Sequence, residues 1–119
     1  MAAFRGALTA GAHAIETDVH LSRDGVVVLA HDPSLRRCFG VDKRVAECDW
    51  AYLRTLRPTT SRGGEGEGMA RLTDLLGLLD QDAEAERVWV LIDIKVCLAP
   101  TYLTYYLPWS PVLPVQARG

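Results

Sequence analysis

The sequence is poor in the residues that would place it in several large protein classes. Its three cysteines, at positions 38, 48 and 97, are scattered and odd in number, with no C-x-x-C pair. Neither a thiolate zinc site nor a disulfide framework can be built from them, and a reducing compartment is favoured. An excess of charge of one sign is also missing. Lys and Arg total 13 against 15 for Asp and Glu, a net charge of −2 that offers no attraction to nucleic acid. No basic segment followed by a short apolar run is present, so no secretory signal is visible, and a cytoplasmic or membrane-associated location is expected. The glycine-rich stretch 61–68, S-R-G-G-E-G-E-G, lacks the G-x-x-x-x-G-K-[ST] spacing of a phosphate cradle and reads as a flexible loop. The apolar end of the chain, 97–119, is broken by Pro100, Pro108, Pro111 and Pro114. Each proline removes a donor and clashes with the preceding turn, so an ordinary transmembrane helix is excluded.

What is present fits one small domain of 119 residues, 49% hydrophobic and 24% charged. Its most informative stretch runs from His13 to Asp32, H-A-I-E-T-D-V-H-L-S-R-D-G-V-V-V-L-A-H-D. Asp24-Gly25 between two strand-like runs is a strong hairpin signal, because both residues tolerate positive φ. A two-residue loop would set Leu21 opposite Val28 and Asp18 opposite His31, with direct partners about 4.5–5.5 Å apart at Cβ. Side chains alternate along a strand, so Glu16, Asp18 and His31 would share one face. Two carboxylates and an imidazole at a strand end form a metal-plus-acid/base arrangement.

The rest of the chain alternates helical and strand-like patterns. Residues 1–10 read as a helix with Gly11 as its C-terminal cap. Residues 12–19 read as a strand with Ile15 and Val19 on the face opposite the acids. Arg36, Arg37 and Lys43 follow in a loop and read as solvated charges, with a phosphate contact as the lesser alternative. Asp49 is placed to cap a short helix over 50–56, which Pro58 ends, and Thr73 to cap another through Asp80. The run 88–96, V-W-V-L-I-D-I-K-V, reads as a strand of a parallel sheet covered on both faces, with Asp93 and Lys95 on the same side. His20 shares the parity of Asp18 and reads as a partly exposed strand histidine, with a place near the site as the lesser alternative.

Taken together, I-E-T-D-V, D-G-V-V-V-L-A-H-D and L-I-D-I-K resemble the glycerophosphodiester phosphodiesterase family. L-I-D-I-K and D-W-A-Y-L-R-T-L are most similar to its fungal phosphatidylglycerol phospholipase C branch. The resemblance covers roughly residues 1–96, leaving 97–119 as a proline-rich tail without it. It implies an α/β fold, part of a TIM-type (β/α)₈ barrel like that of phospholipase C-type phosphodiesterases. Such barrels need roughly 200 residues or more, so this chain would supply about two barrel strands plus a β-hairpin insertion, as a fragment shortened at both ends.

The resemblance further implies that Glu16, Asp18 and Asp93 ligate a divalent cation, Mg²⁺ or Ca²⁺ as hard oxygen donors favour. Asp93 stands where the family more often has Glu, one methylene longer. Lys95 would contact a substrate phosphate oxygen, and His31, of the H-D motif, would be the general acid/base. The family's second histidine belongs to an H-R-G motif, which this sequence lacks, as it lacks the acid of the following E-N-T motif; His13 and His20 match neither. The implied activity is metal-dependent hydrolysis of a glycerophosphodiester or glycerophospholipid, with peripheral membrane contact through the lipid. Poor activity is expected of this chain, since losing one general acid/base costs ~10²–10⁴-fold. Two other classes compete: a catalytically dead metal- or phosphate-binding module, and a non-enzymatic interaction domain.

Overall fold

The computed structural model describes residues 1–59, 66–82, 85 and 87–95. Most of the glycine-rich loop and the whole of the proline-rich tail lie outside the described residues. The helix α1, Ala2–Thr9, ends as its composition dictates. Gly11, at φ +76°, donates its N–H to the Leu8 carbonyl, and Ala12 donates to the Ala7 carbonyl. This is the left-handed glycine closure that satisfies the last carbonyls of a helix.

The strand β1, Ala14–Leu21, follows with the expected alternation. Ile15, Thr17 and Val19 are buried on one face, while Glu16 is exposed and Asp18 half-buried on the other. Three further strands, β2 (Val27–Leu29), β3 (Ala70–Arg71) and β4 (Trp89–Ile94), complete a mixed sheet of order β3-β2-β1-β4. β1 and β4 run parallel, in register from Ala14 opposite Trp89 to Val19 opposite Ile94. β2 is antiparallel to both β1 and β3. The parallel pair has the pairing of a barrel wall, and the antiparallel strands form the hairpin insertion. Between the two parallel strands the chain runs through the short helices α2 (Arg36–Phe39) and α3 (Trp50–Leu53), then through α4 (Leu72–Asp80).

The hairpin corrects the expected register. Its loop has three residues, Arg23, Asp24 and Gly25, not two. Ser22 donates its N–H to the Val26 carbonyl at 2.9 Å, and Gly25, at φ +82°, donates to the Ser22 carbonyl at 3.0 Å. A turn followed by a left-handed glycine is the usual form of a three-residue hairpin loop. The extra residue sets Leu21 opposite Val27 and Val19 opposite Leu29. Asp18 therefore faces Ala30, whose N–H donates to the Asp18 carbonyl at 3.1 Å, rather than His31.

Side chains explain why the loop takes this form. The Ser22 hydroxyl donates to Asp24 at 2.6 Å and accepts the Val26 N–H at 2.8 Å. Asp24 also accepts the N–H of Trp50 at 3.0 Å, tying the turn to the start of α3. Asp49 thus does not cap α3 with its own side chain; its carboxylate is taken by Arg23. Likewise Thr73 lies inside α4, whose first turn is closed by Asp74 accepting the Arg71 N–H at 2.9 Å.

The insertion carries the main core: Val28, Leu35, Val45, Cys48, Leu53 and Leu56, flanked by Phe39, Trp50 and Met69. The charges of residues 36–43 are not in a loop throughout. Arg36 and Arg37 open α2, and Lys43 lies 5.0 Å from the centre of the Tyr52 ring. β4 also departs from expectation. It is the outer strand of the sheet, and Trp89 is 80% and Leu91 65% exposed. Its apolar composition suits burial, but among the described residues no strand pairs with its free edge.

Candidate metal centre and active site

The register of the parallel pair creates the site. Asp18 on β1 lies directly opposite Asp93 on β4, and Glu16, two residues earlier, shares their face. Carboxylate oxygens of Glu16, Asp18 and Asp93 lie within 4.8 Å of one another. Asp18 is the most enclosed of the three, with its side chain 15% exposed. The opposite face of β1 holds the strand in place: Ile15, Thr17 and Val19 are buried against the body of the protein.

Lys95 sits among these acids. Its backbone N–H donates to the Val19 carbonyl at 3.0 Å, extending the β1–β4 pairing past the end of β4. Its Nζ lies 3.1 Å from Asp18 Oδ1 and is hydrogen-bonded to Asp93 Oδ2. Hydrogen bonds to Asp93 and then Asp18 raise the lysine pKa above its ordinary value, so the ammonium stays charged.

His31 reaches the site by a different route from the direct pairing expected. It lies past the end of β2 with an exposed ring, and lines a cleft of about 310 Å³ together with Glu16, Thr17, Asp18, Ala30 and Gly68. Its Nδ1 is 2.8 Å from Asp32 Oδ1. The second Asp32 oxygen accepts a hydrogen bond from Arg37 Nε. Arg37, then His31, hold the Asp32 carboxyl well below the ordinary range, at about 2.

Two contributions escaped the sequence reading. His20 is not partly exposed but buried, and its Nε2–H donates to the His31 carbonyl at 3.4 Å. It anchors the backbone that carries His31. Its parity with Asp18 placed it on this face, but nothing in the pattern announced that the chain beyond β2 would fold over it. Asp32 was visible only as the neighbour of His31; its pairing with Arg37 depends on the turn into α2. A larger cavity of about 600 Å³, lined chiefly by Val19, Leu21, Val27, Leu72, Ile92 and Ile94, contains none of the three carboxylates. Glu16, Asp18 and His31 line the smaller cleft, whereas Lys95 and His20 line the larger cavity.

The donor set fits a hard divalent cation. Three carboxylates offer oxygen only, the chemistry of Mg²⁺ and Ca²⁺ sites, and no thiolate or imidazole belongs to the cluster.

Comparison with known proteins bears on what such a site does. Residues 1–107 match the model of the glycerophosphoryl diester phosphodiesterase family. The chain is 40% identical over 102 residues to the lysophospholipase D GDPD1 of Rattus norvegicus, covering 81% of this chain and 31% of that protein. It is 33% identical over 101 residues to the human lysophospholipase D GDPD1, with the same two coverages of 81% and 31%. Among solved structures, the glycerophosphodiester phosphodiesterase of Agrobacterium tumefaciens is 32% identical and superposes with a TM-score of 0.66, covering 81% of this chain and 40% of that one. The corresponding enzyme of Thermotoga maritima is 28% identical with a TM-score of 0.61, covering 80% and 36%. The chain spans about a third of the length of the curated relatives it matches.

Proposed function

The chain belongs to the glycerophosphoryl diester phosphodiesterase family, and from that membership we propose that its cleft binds and hydrolyses a glycerol phosphodiester with the help of a divalent cation. The observation that carries this reading is the meeting of Glu16, Asp18 and Asp93 within 4.8 Å, at a cleft that Glu16 and Asp18 line together with His31.

Each side chain has a definable task. Glu16, Asp18 and Asp93 hold the cation, either Mg²⁺ or Ca²⁺. A cation bound there supplies charge neutralisation and orientation at the phosphate. Lys95 offers a point charge to a non-bridging phosphate oxygen, exchanging contacts with Asp18 and Asp93 for one with substrate. His31 exchanges the proton of the attacking or leaving oxygen. Slow turnover is expected of this chain. Glu16 and Asp93 face water, and electrostatic stabilisation weakens in a hydrated site.

The finer substrate reading is phosphatidylglycerol, cut on the phospholipase C side at a membrane surface. Its support is the likeness of D-W-A-Y-L-R-T-L and L-I-D-I-K to the fungal branch. The mammalian relatives are lysophospholipases D by name, which cut the other ester bond. Products distinguish the two: diacylglycerol with glycerol phosphate for the first cut, phosphatidate with glycerol for the second.

The test is to incubate the full chain with glycerophosphoglycerol and with phosphatidylglycerol vesicles, in Mg²⁺, Ca²⁺ or EDTA. Cation-dependent release of glycerol phosphate is expected. A second reading, a cation-binding module without turnover, draws on the ion pairs by which Lys95 already closes over Asp18 and Asp93. Calorimetric binding of Mg²⁺ or Ca²⁺ with no product from either substrate would establish it. If neither cation binds, both readings fail.

A further inference from the structure

At the mouth of the cleft three side chains are linked in series. His31 Nδ1 lies 2.8 Å from Asp32 Oδ1, and Arg37 Nε donates to the other carboxylate oxygen. An ionised carboxylate has only acceptors, so a hydrogen bond between the pair requires the proton on Nδ1. In the neutral ring Nε2 then carries the lone pair. We infer that Asp32 is a positioning residue for His31, fixing the Nδ1–H tautomer so that Nε2 is the atom that exchanges a proton with substrate. The inference rests on the reading of His31 as the proton-transfer group.

Independent contacts make the arrangement definite. Arg37, on α2, engages the second oxygen and keeps the carboxylate from rotating away from the imidazole. The His20 Nε2–H bond to the His31 carbonyl holds the backbone on the other side. The ring is thus restrained at its main chain by β1 and at Nδ1 by Asp32, leaving Nε2 as its unrestrained nitrogen among the described residues. Arg37 also keeps Asp32 ionised through the neutral range, so the acceptor is retained there.

The tautomer can be read directly. In a two-bond ¹H–¹⁵N correlation spectrum of the labelled full chain above pH 8, His31 should show the Nδ1–H pattern. The three histidines are assigned with the substitutions His13→Gln, His20→Gln and His31→Gln. Asp32→Ala should move His31 towards the Nε2–H form, and Arg37→Ala should give a mixture of the two. An Nε2–H pattern for His31 in the unsubstituted chain overturns the inference. So does an unchanged pattern in Asp32→Ala with the β1 and β2 amide shifts intact. If Asp32→Ala disturbs those shifts, the unsubstituted chain decides alone. Where the chain turns over substrate, Asp32→Ala should lower kcat about tenfold or more with KM little changed, and Asp32→Glu should recover part of the loss. The spectrum needs no substrate. An Nδ1–H ring in an inactive chain sinks the hydrolase reading alone, whereas an Nε2–H ring in an active chain sinks the positioning role alone.

Discussion

Asp18 is the residue on which the charges of the cleft converge. It faces Asp93 across the parallel pair, shares Lys95 with it, and is the least exposed of the three acids. Asp18→Asn should therefore weaken Mg²⁺ or Ca²⁺ binding by about tenfold or more, a change of at least ~1.4 kcal/mol, as titration calorimetry would record. His31→Gln, which removes no carboxylate, should leave that affinity unchanged. Asp32 makes a different prediction. Its folded pKa, about 2, is held below the ordinary value by Arg37 first and His31 second. A depressed carboxylate stabilises the fold above its unfolded pKa, and the contribution disappears as pH falls through the folded value. The midpoint of urea unfolding should thus fall between about pH 4 and pH 2, and Asp32→Asn should flatten that part of the curve. The common face of Glu16 and Asp18 was legible in the sequence because a strand alternates with a period of two. The arrival of Asp93 was legible only through family resemblance, since the register of strands distant in sequence is not written in either one. His31 was placed on a wrong register because a hairpin loop of two residues and one of three share the same Asp-Gly signal.

At the level of elements, the sequence pattern marked where helices and strands lie but not what ends them. Asp49 and Thr73 have capping chemistry, yet Arg23 occupies the first, while Asp74 closes the helix start two residues before the second. Such competition between neighbouring polar groups is settled by tertiary contacts, which a local reading cannot weigh. The hairpin insertion shows where the stability of these elements resides. Leu53 is fully buried in the cluster with Val28, Leu35 and Val45. Leu53→Ala should destabilise the fold by ~2–5 kcal/mol, measured from urea unfolding. Gly25→Ala probes the turn instead. A methyl group added at Gly25 would meet no atom within 4 Å, so any cost comes from its φ of +82° rather than from a clash. The expected loss is ~1–2 kcal/mol, with the β1–β2 register retained in amide exchange. A larger loss would mean that the register itself had slipped.

For the molecule as a whole, the decisive feature is the outer side of β4. Trp89, Leu91 and Ile94 are 80%, 65% and 70% exposed, and β4 ends the sheet. A flat apolar edge with unpaired backbone groups is a template for another strand. In a closed barrel that place is taken by the next strand, which pairs with the edge and buries the residues facing inward. Among the described residues no such strand is present, so the open edge should be satisfied between molecules. The chain in solution is expected to self-associate with rising concentration in sedimentation velocity. Ile94→Lys puts a charge at the end of β4, opposite Val19 and on the sheet face away from the three carboxylates. It should lower the association without altering Mg²⁺ or Ca²⁺ affinity, because edge charges oppose strand pairing while the cluster at Asp18 and Asp93 keeps its register. A sample that sediments as a monomer at all concentrations, with Trp89 shielded from aqueous quenchers, would show that the edge is already covered within a single chain.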